Sequence, residues 1–378
     1  MEETMVYSEK PLHTLVTTVT TENSSSKLRI AMTSPASITP TKVSYYLCVF
    51  KANSLEDLLL LYSIQCYVNP ILSLLGLIAN SISLVILKRS GFHKPSNILL
   101  FGLVIADNMC LLTTVNYGLI IFYFGPNKFY PMLCGFQYDE NLNLFLAYSL
   151  QIFLFVGYWG RSVNTLIPAL ITIERLLAVF KPLKFRRIVT RTRTTAAVTI
   201  AFMFWLPWTL FYEAINVTLS IRLLNHVIWT IVALGNVYSS NKNIIDFMEL
   251  YVVDFCVSWF PLVVIVTGCS VLFLKVKLTL RRRRHLTSRQ KLEWSPRTTR
   301  TLLLTCVIFA LTHSASSVLH YTCPMDSQVR VFIRNQFIHL LYLINASSNF
   351  VVYIASNKQF SNIFSNMIGW TNSGSKKS

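Results

Sequence analysis

Charge is scarce in this 378-residue chain. Asp, Glu, Lys and Arg together make up 13% of it, against about 25% in soluble domains, which argues against one or two ordinary globular domains. Acidic residues are the scarcer kind, 16 against 34 Lys and Arg, for a net charge of +18. No two of the eight cysteines form a CxxC pair, so the usual spacing of a zinc or thioredoxin-like site is missing. Residues 1–20 lack an apolar core segment, and no cleavable signal peptide is expected. Disorder is excluded for most of the chain, because 53% of it is hydrophobic and 13% aromatic.

The apolar residues are gathered into seven long segments, at 58–87, 98–124, 142–173, 194–213, 249–274, 299–322 and 331–356. Each can supply the roughly 20 residues a membrane-spanning helix requires. Formal charges inside them are few: Asp107 in the second, Arg161 in the third before Glu174 and Arg175, Glu213 at the end of the fourth, Glu249 and Asp254 in the fifth, Arg300 at the start of the sixth, Arg334 near the start of the seventh. An eighth apolar run, 223–235 (LLNHVIWTIVALG), is too short to span and reads as an interfacial or packed loop segment.

Basic residues then set an orientation. Residues 88–96, 180–193, 275–300 and the C-terminal tail hold 22 of the 34 Lys and Arg. Cytoplasmic loops carry such an excess, so these segments are expected in the cytoplasm and the N-terminus outside. In a soluble protein +18 would suggest nucleic acid; here it reads as topology and contact with anionic lipid, and no nucleic-acid partner is expected. An eighth span would move the 275–300 cluster outside, a second argument against it. The division expected is an extracellular flexible tail over 1–57, rich in Ser and Thr, a seven-helix domain over 58–356, and a cytoplasmic helix and tail over 357–378. Asn23 and Asn216 begin glycosylation sequons on the outer side, and Asn345 begins one inside a span, where it is a chance match.

Several motifs fall in the proper spans and order. Span three ends in Glu174-Arg175-Leu176-Leu177-Ala178-Val179-Phe180-Lys181-Pro182-Leu183. Span one carries Gly76-Leu77-Ile78-Ala79-Asn80, span two Leu103-Val104-Ile105-Ala106-Asp107, span five Phe260-Pro261, and span seven Asn349-Phe350-Val351-Val352-Tyr353, with Phe360 seven residues on. Over residues 58–370 the chain resembles the rhodopsin-like (class A) G-protein-coupled receptors, whose patterns are (D/E)RYLAVxxPL, GxxxN, LxxAD and NPxxY. The resemblance implies an all-α fold: a seven-transmembrane bundle with a short amphipathic eighth helix.

Departures point to a divergent member. The position usually bearing the span-three disulfide cysteine is Leu150, and residues 214–248 contain no Cys. The outer cysteines that remain are Cys48, Cys134 and Cys323, whose pairing the sequence leaves open. Span six has His313 and Ala315 where the family has Trp and Pro, and Cys269 stands for the usual span-five Tyr. The pattern is most similar to invertebrate, especially molluscan, chemosensory or neuropeptide-type receptors.

Ionisable groups within a span mark function by default. Asp107 with Asn80, Asn164, Asn345 and Asn349 forms either a hydrogen-bonded network between helices or a sodium site, the only cofactor expected. Arg161 lies fourteen residues before Arg175, about 21 Å along a helix, near mid-membrane, where a guanidinium needs an anion. Asp254 of span five is the expected partner, with Glu249 and Glu213 as alternatives. The pair either locks the helices or leaves Arg161 to meet a ligand carboxylate or peptide terminus. Tyr158, Trp159 and His313 flank that pocket. At the inner end Glu174 and Arg175 can pair at rest, and the resemblance implies that Arg175, assisted by Pro182, Asn349 and Tyr353, meets a heterotrimeric G protein on activation.

The function expected is a plasma-membrane receptor for an extracellular peptide or small chemosensory molecule, coupled to a G protein, with arrestin as a further partner the family implies. Gly157 stands where aminergic receptors carry Asp, which speaks against an amine. No nucleophile–base arrangement or metal-ligand cluster points to an enzyme. A transporter or channel is the alternative, resting on Arg161 and Asp254; a receptor with decayed signalling is another, resting on the altered motifs. Against transport stand the absence of an evident internal repeat and the Glu174-Arg175 and Pro182-Leu183 pairs.

Overall fold

Inside a bilayer no water is available to pair with backbone N–H and C=O groups, so a lipid-facing segment satisfies them within one helix or a closed barrel. The chain takes the helical solution. A computed structural model describes residues 55–124, 136, 138–222, 228–234, 236–283, 296–322, 328–356 and 358–367. Span one runs through Leu55–Ser63, a π-helical stretch Ile64–Val68 and Asn69–Ser90. Span two is Pro95–Phe124, span three Glu140–Phe180, and span four Arg191–Ala214. Span five runs from Asn236–Phe247 to Phe260–Arg283; spans six and seven are Pro296–Thr322 and Gln328–Ser356. Six of these are long and apolar enough to cross a membrane, and span six contributes the apolar stretch Leu304–His320. The protein is a multi-pass membrane bundle.

Span three is the central mast. Its 41 residues reach about 60 Å, roughly twice the hydrocarbon thickness. It starts cleanly because the Asp139 carboxylate accepts from the Leu142 N–H at 3.1 Å, capping the first turn. Spans two and three share the most extensive contact in the bundle. Gly160 makes it so close: a Cβ there would stand 2.6 Å from Met109 Cβ and 2.9 Å from the Ala106 carbonyl. The main core gathers Leu103 and Val104 of span two, Ile167 and Ile171 of span three, Ile265 of span five, Phe309 of span six and Tyr353 of span seven.

Span five departs from a plain α-helix. Two π-helical stretches, Met248–Val253 and Phe255–Trp259, flank Asp254. A π turn bonds i to i+5, so each inserts an extra residue and rotates the residues beyond it by about 100° relative to an α-helix.

The bundle is helical, but one element outside it is not. β1 (Asn216–Arg222) and β2 (Ile228–Leu234) form an antiparallel hairpin, with Asn216 opposite Leu234 and Arg222 opposite Ile228. The hairpin packs on span three. The eighth apolar run is thus a packed segment and not a span, and within it Ile228, Trp229, Thr230, Ile231 and Val232 are β-branched or aromatic and take the extended form that suits them. Near that end, the site of the family's missing disulfide is filled by packing: Leu150 is fully buried among Ile120, Phe136, Leu146 and Ala147. At the other end, Pro182 opens a short helix, Pro182–Ile188, and a terminal helix, Lys358–Met367, lays Phe360, Ile363, Phe364 and Met367 on the core.

Candidate functional site

Polar side chains run in a column down the inside of the bundle, grouped at three levels of span three. The lowest is at its C-terminal end. Arg175 Nη2 and Glu174 Oε2 are 3.1 Å apart, with Glu174 5% exposed. Ser96 of span two joins them: its hydroxyl donates to Glu174 Oε1 at 3.0 Å and accepts from Arg175. Ser96 thereby ties both charges to a second helix, a link the sequence motif does not express. A little above, Thr172, Cys306 of span six and Cys269 of span five meet; Thr172 Oγ1 lies 3.3 Å from Cys306 Sγ. Tyr353 is fully buried against Phe360, and its hydroxyl has no partner among the described residues.

The middle level centres on Asp107, which is wholly buried. Asn349 donates to its Oδ2 at 2.7 Å, and Asn164 hydrogen-bonds the same carboxylate. Asn80 donates to the Ala346 carbonyl at 3.0 Å, joining spans one and seven. Asn345 is buried in the same layer. Of the residues grouped with Asp107 by sequence, Asn349 and Asn164 bond its carboxylate, while Asn80 and Asn345 are buried with no bond to it among the described residues. Asp107 Oδ1, Asn80 Oδ1 and Asn164 Oδ1 are buried without hydrogen-bond partners among the described residues. An all-oxygen set of this kind fits a hard cation.

The upper level holds Arg161, and here the expected pairing is corrected. Arg161 does not meet Asp254. Its Nη2 donates to Nδ1 of His339, in span seven, at 3.0 Å, and its guanidinium lies 4.9 Å from the Tyr342 ring centroid and 6.0 Å from that of Tyr158. Asp254 instead accepts from Ser258, in its own helix, at 3.0 Å. The π stretches on either side explain the miss, because counting α-turns back from Pro261 assigns Asp254 the wrong face. Trp159 also turns away: its indole N–H donates to the Phe202 carbonyl of span four at 2.9 Å.

His339 went unrecognised in the sequence because a neutral imidazole does not interrupt an apolar run. A signal exists: His339, Tyr342, Asn345 and Asn349 recur at three- and four-residue spacing and give span seven one polar face. Thr114 of span two completes the level, 2.8 Å from His339 Nε2. His313 lies just beneath, 3% exposed, stacked on Phe309 at 3.9 Å and edge-on to Tyr342 at 5.0 Å. Arg161, His313, His339, Tyr342, Asn164 and Cys110 enclose a small cavity with room for about one water-sized species. Among the described residues no group of three His, Cys, Asp or Glu is placed to hold a metal ion. Asn23, Cys48, Cys134 and Cys323 lie outside the described residues, and Asn216 is the first residue of β1.

Comparison with known proteins agrees with this architecture. The FMRFamide receptor of Drosophila melanogaster is 26% identical over 298 residues, which cover 78% of this chain and 52% of that protein. A probable G-protein coupled receptor of Caenorhabditis elegans is 24% identical over 147 residues, 38% of this chain and 32% of that protein. The chain spans about half the length of the first relative and a third of the second. Residues 67–371, most of the bundle and all three polar levels, match the family described as serpentine type 7TM GPCR chemoreceptor Srw. The chain belongs to that family of G-protein-coupled receptors, a class of receptors and not of enzymes.

Proposed function

We propose that the protein is a plasma-membrane receptor with its N-terminal side outside, whose Arg161 level forms the floor of a pocket for an extracellular peptide or chemosensory molecule. Its Arg175 end, in the cytoplasm, couples to a heterotrimeric G protein. The observation that carries this reading is the arrangement of span three. One helix bears Glu174 and Arg175, closed by Ser96 of span two, at one end and the Arg161–His339 contact fourteen residues away. A peptide ligand is supported by the relative named an FMRFamide receptor, a chemosensory one by the family's description.

A ligand shifts a two-state bundle only by binding one state better than the other. Arg161 and His339 join spans three and seven, and His313 and Tyr342 join spans six and seven. A ligand that displaces these contacts changes how spans six and seven lean on span three. Opening at the far end then separates Arg175 from Glu174 and Ser96 and frees the guanidinium for the G protein. The basic loops around 181–193 and 275–300 support contact with anionic lipid, and arrestin would share the same face. A sodium ion, held by Asp107, Asn80 and Asn164, would balance the Asp107 charge.

G-protein recruitment in cells tests the reading. Wild type and Arg175→Ala at matched surface expression are exposed to peptide and waterborne-metabolite fractions. A response in wild type that disappears in the variant is expected. A response of equal size in both contradicts the role of Arg175.

A further inference from the structure

The upper cavity holds more hydrogen-bond donors than the protein answers. A guanidinium has five N–H donors and no acceptor. The hydrogen bond of Arg161 uses Nη2, and its acceptor is His339 Nδ1. Since Arg161 can only donate, Nδ1 of His339 is unprotonated and the ring proton sits on Nε2. That N–H donates to Thr114 Oγ1 at 2.8 Å, and Thr114 in turn donates to the Cys110 carbonyl at 3.2 Å. His339 is therefore saturated. His313 and Tyr342 are not: both line the cavity, and neither the imidazole nor the phenol hydroxyl hydrogen-bonds to any described residue. Each keeps an N–H or O–H donor, on a side chain that lines the same cavity as the guanidinium.

The charge is also unanswered. No carboxylate forms an ion pair with Arg161 among the described residues. Asp107, one level down, is engaged by Asn349 and Asn164. A guanidinium at mid-membrane depth is strongly disfavoured without an anion, and neither a neutral imidazole nor a tyrosine ring supplies one.

We infer that this cavity is an anion site, in which a compact anion sits between Arg161, His313 and Tyr342. The shared chemistry is a small, strongly accepting anion; it comes either as a free halide ion or as the carboxylate of the receptor's ligand. The second source rests on the receptor reading above, the first does not. As it stands the cavity has room for about one water molecule; a halide or a carboxylate group is larger, so either enters only as the half-buried Arg161 and Tyr342 side chains shift outward. Asp107 and Arg161 then each have a counter-ion of their own.

Thermal unfolding of the full chain purified in detergent micelles tests this without agonist or G protein. Sodium chloride, bromide and acetate are each titrated against sodium gluconate at constant ionic strength. If the occupant is a free halide, chloride and bromide raise the midpoint saturably, by about 2–4 °C. If it is a ligand carboxylate, acetate does so and the halides do not. In either case the shift vanishes in Arg161→Met, and in Tyr342→Phe it needs roughly tenfold more anion. Should Arg161→Met fail to fold, wild type and Tyr342→Phe decide. An unfolding midpoint of wild type that no anion moves relative to gluconate overturns the inference, and so does a shift that both variants retain unchanged. A receptor that signals normally with no anion effect refutes the anion site alone; an anion effect in a protein that recruits no G protein refutes the receptor reading alone.

Discussion

Arg161 of span three donates a hydrogen bond to Nδ1 of His339, 178 residues further on in span seven, at 3.0 Å. The bond joins two membrane-spanning helices and leaves Nδ1 of the imidazole unprotonated, with the ring proton directed to Thr114. A half-buried cation answered by a neutral acceptor is an uncommon arrangement, because a carboxylate would compensate the charge as well as the hydrogen bond.

The relay is expected to contribute to stability in steps. His339→Phe removes the acceptor of Arg161 and should cost about 2 kcal/mol, as for other hydrogen bonds to charged groups. Thr114→Val removes only a neutral acceptor and should cost about 1 kcal/mol. Unfolding midpoints in micelles check the order; a larger loss for Thr114→Val than for His339→Phe would sink the relay as drawn.

Asp254→Asn should leave ligand potency within about twofold of wild type, because Asp254 is bonded to Ser258 and not to Arg161. Arg161→Met, at matched surface expression, should lower potency tenfold or more, about 1.4 kcal/mol. Dose–response curves with the active fraction measure both. Equal losses would restore the Arg161–Asp254 pair that the sequence suggests.

Gly160 sets how closely span three approaches span two, and therefore where its neighbour Arg161 sits. A valine there would drive into Met109 and the Ala106 carbonyl, so Gly160→Val should be destabilised by about 3 kcal/mol or more. Loss of surface expression and a lowered midpoint are the expected signs; wild-type stability would mean the two helices are not in close contact.

Sodium binding at Asp107 makes a distinct prediction. At fixed chloride, replacing N-methylglucamine by sodium should raise the unfolding midpoint of wild type by a few degrees, following the stabilisation any native-state ligand gives. Asp107→Asn should abolish that rise, since it removes the charge. A rise of equal size in both proteins would place the cation elsewhere.

Much of the fold was legible because its causes are local. Long apolar runs declare the spans, and the loops' basic residues separate them. Glu174 and Arg175 are adjacent in the chain, so their pairing needed only their position at a span end. The Asp107 group was legible through motif register, each member being named by its place in its own helix. What escaped depends on longer-range geometry. The two π stretches around Asp254 change the helical count without leaving a mark in composition, and Arg161 is consequently assigned the wrong partner. Ser96 and Thr114 are small polar residues in apolar segments, ordinary until span three is packed against them. The strand Ile228–Leu234 was legible as a run too short to span, but its pairing with Asn216–Arg222 depends on the hairpin that the flanking helices bring together.

The central claim, that release of Arg175 turns the receptor on, is tested most directly without any ligand. Basal G-protein recruitment is compared in wild type, Glu174→Gln and the double variant Glu174→Gln with Arg175→Ala, all at matched surface expression. Glu174→Gln removes the charge that holds Arg175 while keeping the hydrogen bond from Ser96, and a loss of about 1 kcal/mol from the closed state should raise basal recruitment roughly fivefold. The double variant should fall to wild-type level or below. Basal recruitment unchanged in Glu174→Gln, or still raised in the double variant, would contradict the account.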